Sequence, residues 1–129
     1  MTGSRIRTNK EEIDICFNNN SLDEMLWKLG PLTLVECKNE KKKFSCEKAK
    51  KIIQTMNEKA SNSAILFLKE GITRDARKEI DEHLMYGKYI IVITKKDLER
   101  IGKKTPYELL QKKIKQIENR QEELMEKLI

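Results

Sequence analysis

Short apolar runs alternate along the chain with stretches in which apolar residues recur every three or four positions. Residues 13–17 (IDICF), 32–38 (LTLVECK), 64–69 (AILFLK) and 88–94 (KYIIVIT) are the runs. Each has strand length and is bounded by polar or turn-forming residues, so each predicts a β-strand. The run at 64–69 is almost continuously apolar, as expected of a strand covered on both faces. Residues 5–8 leave room for one further short strand. Between 18 and 31, NNNS and Gly30-Pro31 mark turns. LDEMLWKL between them fits either a short helix or an excursion from a hairpin.

The periodic stretches predict helices. Ser45 can cap one running to about residue 60, with Ala49, Ile52, Ile53 and Met56 on one face. Thr73 can cap a second, to about residue 86, with Ala76, Ile80 and Leu84 inward. A short helix follows over about 96–101. Thr105, Pro106 and Glu108 combine an N-cap, a proline at the first helical position and a capping box. They open a long helix whose apolar positions are Leu110, Ile114, Ile117, Leu124 and Leu128, with Gln121 in the heptad gap. That stripe fits a helix docked on its own domain and, equally, one that meets a second copy or a partner domain. The element order predicts an α/β fold. A mixed sheet, antiparallel at first and parallel later, has helices on both faces over residues 5–103, and an amphipathic helix is added over 104–129.

Composition narrows the class. At 129 residues the chain makes one domain. With 38% apolar and 37% charged residues it reads as a small, heavily charged globule, and no run reaches the roughly 20 apolar residues of a membrane span. The opening MTGSRIRTNK lacks the apolar centre of a secretory signal, and MTGS has the look of a cloning remnant. Three cysteines, Cys16, Cys37 and Cys46, with no CxxC pair, predict reduced thiols in the cytoplasm, packed as small core residues. His83 is the single histidine, so a zinc site is not expected. Neither GxGxxG nor GxxxxGK[ST] occurs, which removes the common nucleotide-binding loops.

The net charge of +6 is unevenly spread. Between residues 38 and 59 there are eight lysines and three glutamates, 8 − 3 = +5. Lys41, Lys42, Lys43, Lys50 and Lys51 form a patch suited to a polyanion such as nucleic acid. A solvated lysine-rich face has the same composition.

Two apolar strands carry charge where a purely structural strand would not. Asp14 sits between Ile13 and Ile15, and Glu36 and Lys38 follow Leu32 and Leu34. Alternation puts Glu36 and Lys38 on one face and sends Cys37 the other way, toward the core with Val35. If the two strands pair, Asp14 lies beside Glu36. Two carboxylates so placed need a compensating cation, and a hard divalent ion that keeps several waters serves well. Lys38 can then steady an attacking water and offset charge developing on phosphorus. Together these parts suit phosphodiester hydrolysis.

Asp14 in EIDIC and Glu36-Cys37-Lys38 in LTLVECKN resemble the D…(D/E)xK motif of the PD-(D/E)xK nucleases. GITRDARKEIDEHL, GKYIIVIT and KKDLERI resemble the C-terminal half of the Mrr-like, type IV restriction endonuclease branch. The resemblance covers about residues 11–101. It implies a restriction-endonuclease-like fold, with Asp14, Glu36 and Lys38 catalytic. It also implies Mg2+, or Mn2+ in its place, on Asp14, Glu36 and the Cys37 carbonyl, with DNA as substrate. Gln54 stands on the next helix, where some branches place a glutamine, but the tyrosine that accompanies it four residues on is Glu58 here. Ile13 replaces the family's proline. Only 13 residues precede Asp14, too few for the family's usual N-terminal helix and strand. The expectation is therefore a fragment, or a site completed by the C-terminal helix or by a second copy, with weak activity alone. Three other readings stand beside the nuclease. One is a purely structural ion-pair cluster. Another is a non-catalytic nucleic-acid-binding or assembly module of a larger restriction, defence or repair protein. The third is a coiled-coil adaptor.

Overall fold

A computed structural model describes residues 2–5, 15–18, 29–102 and 104–128. Its strands are β1 (Thr2–Arg5), β2 (Ile15–Asn18), β3 (Leu32–Lys38), β4 (Ser63–Leu68) and β5 (Tyr89–Thr94). Its helices are α1 (Cys46–Glu58), α2 (Arg74–Leu84), α3 (Lys95–Arg100) and α4 (Pro106–Glu126). The strands form one mixed sheet in chain order. β1, β2 and β3 are antiparallel neighbours; β3, β4 and β5 are parallel.

The periodic stretches fold as their caps dictate. Ser45, Thr73 and Thr105 each accept a backbone N–H three residues on, from Lys48, Ala76 and Glu108. A full capping box forms at Thr94 and Asp97, where Asp97 also accepts from the Thr94 backbone N–H. Gly87 (φ 85°) ends the turn after α2 in the left-handed region, which lets β5 start at once beside β4. β1 shares only Arg5 with the strand expected over 5–8, and Thr2–Ser4 belong to the sheet rather than to a dispensable tail. The LDEMLWKL segment before Leu29 lies outside the described residues, as do positions 13 and 14 of the IDICF strand.

Two cores sandwich the parallel strands. On one face Leu34, Ala64, Leu66 and Ile90 meet Ile52, Ile53 and Met56 of α1 and Ala76 and Ile80 of α2. Because β3, β4 and β5 advance in one direction, both crossover helices fall on that face. On the other face Val35, Ile65 and Ile91 meet Leu109 and Ile114 of α4, with Leu29 closing the layer. Each of the larger aliphatic side chains contributes about 1.5–3 kcal/mol by leaving water. Leu109, absent from the expected stripe, is buried, and Leu110 and Ile117 are partly so. The stripe then leaves the sheet, and Leu128 is 69% exposed. Three polar contacts hold the docked half: Lys113 to Asp97 (2.9 Å), Arg120 to Asp81 (2.8 Å), and Gln121 donating to the Leu84 carbonyl (2.9 Å).

Candidate active site

β3 is buried along most of its length and then ends in charge. Thr33, Leu34 and Val35 are at most 5% exposed, and Glu36 is only 4% exposed. An isolated buried carboxylate is costly, so it needs a cation or donors. Lys38, two residues on and on the same face, places Nζ 3.4 Å from Glu36 Oε1. Lys38 is itself mostly covered. The expected pair is therefore held together at the end of a parallel strand, the edge where open α/β sheets bind ligands.

The edge is braced by its loops. Lys69 N–H donates to the Lys38 carbonyl at 3.2 Å. Phe44, 3% exposed, bridges to Ile72 through Phe44 N–H to Gly71 O and Thr73 N–H to Phe44 O. The loops after β3 and β4 are thus tied to each other.

Asp14 lies outside the described residues. The residue bonded to it, Ile15, pairs with Val35, the neighbour of Glu36. Cys37 shares its face with Val35, as alternation requires, but it is exposed rather than in the core. The reason is coverage: the core under α4 takes in Val35, Ile65, Ile91 and Ile93 but does not extend over Cys37 at the end of β3. Cys46 is half-buried at the start of α1, so it is no core residue either. Cys16 belongs to β2, and its side chain is outside the described set. Gln54 is exposed and donates to Glu58 at 3.3 Å, turned to solvent. Among the described residues no three His, Cys, Asp or Glu side chains are placed to share an ion.

The lysine patch divides. Lys41, Lys42 and Lys43 are exposed on the loop beyond β3, and Lys50 and Lys51 are exposed on α1. Lys48 is committed to Glu40 by a short ion pair. The Lys48 hydrogen bond holds Glu40 below the usual carboxylate range against desolvation, with Lys38 and Lys42 adding to the effect. Sequence reasoning missed Lys69 and Lys95. Each directly follows a parallel strand, β4 and β5, as Lys38 ends β3. A lysine at the end of every parallel strand was a signal available in the sequence.

This arrangement defines a mixed α/β fold of the restriction-endonuclease type, with an ExK pair at the strand edge. Residues 3–101 match the family model Mrr_cat, described as restriction endonuclease, and the chain belongs to that family. No match is found among curated proteins or solved structures. Among the described residues no helix is long and apolar enough to cross a membrane.

Proposed function

We propose that the chain is a metal-dependent nuclease domain hydrolysing phosphodiester bonds in DNA, acting in the cytoplasm. The observation that carries this is the Glu36 carboxylate, 4% exposed, paired with Lys38 at the C-terminal end of the central strand in a restriction endonuclease family member. Continuing the β2–β3 register by one residue would bring Asp14 opposite Glu36. Carboxylate and carbonyl oxygens are the donors that hard divalent cations take, so Asp14, Glu36 and the Cys37 carbonyl would hold Mg2+ or Mn2+. Once bound, such an ion polarises the phosphoryl oxygen and lowers the pKa of its water. Glu36 is fixed by its buried strand and needs little reorganisation. Lys38 donates to the attacking water and offsets charge that develops on the phosphoryl oxygens. Lys41, Lys42, Lys43, Lys50 and Lys51 hold the flanking phosphates as point charges.

The family match ends at residue 101, which supports 5–103 as the nuclease unit and 104–129 as an added helix. The exposed end of α4, with Leu128 and Met125 (48% exposed), suits a second copy or partner domain. The test is Mn2+-dependent nicking of plasmid DNA. Feeble activity, lost in Lys38→Ala and in Glu36→Gln, is expected; cleavage that survives Lys38→Ala would falsify the assignment. The exposed lysine loop also favours a second reading, a non-catalytic nucleic-acid-binding module. That reading predicts salt-sensitive binding without uptake of Mn2+.

A further inference from the structure

The α4 face of the sheet is covered unevenly. Val35, Ile65 and Ile91 form a row across β3, β4 and β5 under Leu109 and Ile114. The next row toward the strand ends is Cys37, Phe67 and Ile93. A hollow of about 380 Å³ opens there. Phe67, partly buried, makes an apolar floor backed by the buried Ile93, and Leu98 of α3, 47% exposed, makes one wall. The polar groups around it are unusual for an apolar hollow. Lys38, Lys69 and Lys95 all line it, one from the end of each parallel strand.

An apolar floor with a cationic rim selects a ligand with a flat apolar body and anionic attachments. A nucleotide within a strand has that form. Its base gains by lying on an aromatic ring, and its two phosphates gain by meeting ammonium groups. A symmetric second copy is disfavoured, because it would bring the same lysines against these. The hollow reaches the end of β3 at Lys38, but the Lys38 ammonium is turned to Glu36 on the other face of the sheet, so Lys69 and Lys95 supply the cationic rim. A base paired and stacked in a duplex does not reach such a floor without being extruded, which costs least where the base is already unpaired.

We propose that this hollow receives one unstacked nucleobase, with its flanking phosphates on Lys69 and Lys95. The domain then prefers a substrate that carries an unpaired nucleotide. This rests on the nuclease reading and adds the substrate form to it.

Cys37 supplies the probe, since its thiol is exposed at the edge of the hollow. The full chain, kept metal-free, is alkylated with a maleimide, and modification at Cys37 is read by peptide mapping. A mixed-sequence single strand at about ten times its Kd should slow Cys37 alkylation roughly tenfold, because only the unoccupied fraction reacts. A covalently closed duplex of the same sequence should not, and neither should an abasic strand of equal length. Leu98→Glu changes an exposed wall residue, leaves the core intact and should abolish the protection. Equal protection by single strand and duplex, protection by the abasic strand, protection that survives Leu98→Glu, or no protection at all would each overturn the proposal. The nuclease reading is judged separately by Mn2+-dependent plasmid nicking and its loss in Lys38→Ala. Nicking without single-strand protection rejects the hollow and keeps the nuclease. Protection without nicking rejects the nuclease and keeps the hollow as a binding site.

Discussion

Lys38 Nζ lies 3.4 Å from Glu36 Oε1, and both side chains are largely withdrawn from water. A pair this far from solvent is expensive to leave half-made. Lys38→Ala should therefore lower stability by about 1–3 kcal/mol, the cost of a buried charged group losing a partner. It should also reduce cleavage by about 10²–10³-fold, as removal of one transition-state donor does elsewhere. Glu36→Gln keeps the volume and removes the charge, so it should lose Mn2+ binding while the fold survives. Calorimetric titration with Mn2+ alongside thermal melting separates the two effects. Loss of cleavage with Mn2+ binding intact in Glu36→Gln would place the ion elsewhere.

The lysines at 41, 42 and 43 stand on one exposed loop beyond the same strand. If each meets a phosphate, replacing all three should reduce the slope of log K against log salt by about 2.7, at 0.9 per contact. Binding isotherms at several salt concentrations read this directly. A slope unchanged in the triple variant would assign the loop to solvent.

Asp97 ties β5, α3 and α4 together. Burial works to raise its pKa, but the Thr94 backbone N–H and the Lys113 ammonium outweigh it and hold the carboxyl below its ordinary value of 3.8. A carboxyl depressed in the folded state contributes stability above its unfolded pKa and loses it as pH falls through the folded one. The melting temperature should therefore drop as pH falls below 3.8, and less so in Asp97→Asn, which starts from a lower value. Parallel pH dependence in the two proteins would remove Asp97 from the account.

Most of this architecture was legible in the chain. Ser45, Thr73 and Thr105 announced helix starts because short hydroxyl side chains satisfy orphan N–H groups there, and all three do so. Glu36 and Lys38 were legible as a pair because strand alternation fixes the face. What alternation cannot give is coverage. Cys37 was placed in the core by its face, yet whether a face is dry depends on where a helix twice removed in sequence comes to rest. The same applies to Leu109 and Arg120. Leu109, outside the heptad stripe, is buried because the docked face of α4 takes in Leu109 and Ile114 together. Arg120 looks like a surface charge until Asp81, 39 residues away, is placed beside it. Composition gave the lysine patch but not its division, since the Glu40–Lys48 pair forms only when the loop folds back on α1.

The last prediction concerns α4 and what its free end does. The helix is engaged as far as Gln121: Leu109 and Ile114 are buried, and Lys113, Arg120 and Gln121 bind the domain. Asp81 is 8% exposed and one of its oxygens, Oδ1, has no hydrogen-bond partner, so the direct Arg120 contact, with Arg77 nearby, compensates that charge. Arg120→Met should consequently destabilise the fold by about 1–3 kcal/mol, whereas Asp81→Asn combined with Arg120→Met should recover part of the loss, because no buried charge is then stranded. Beyond Gln121 come Leu124 and Met125 in the last turn of the helix and Leu128 just after it; Leu124 is half-buried, Met125 is about half exposed and Leu128 is largely exposed. A helix end that is apolar and uncovered gains by pairing with a second copy, so the chain should sediment as a homodimer. Leu124→Lys with Leu128→Lys should convert it to a monomer without shifting its melting temperature at low concentration, since neither residue belongs to the two cores. Analytical ultracentrifugation of both proteins decides the point: a monomeric wild type at micromolar concentration, or a dimer that persists in the double variant, would rule out this end of α4 as the interface.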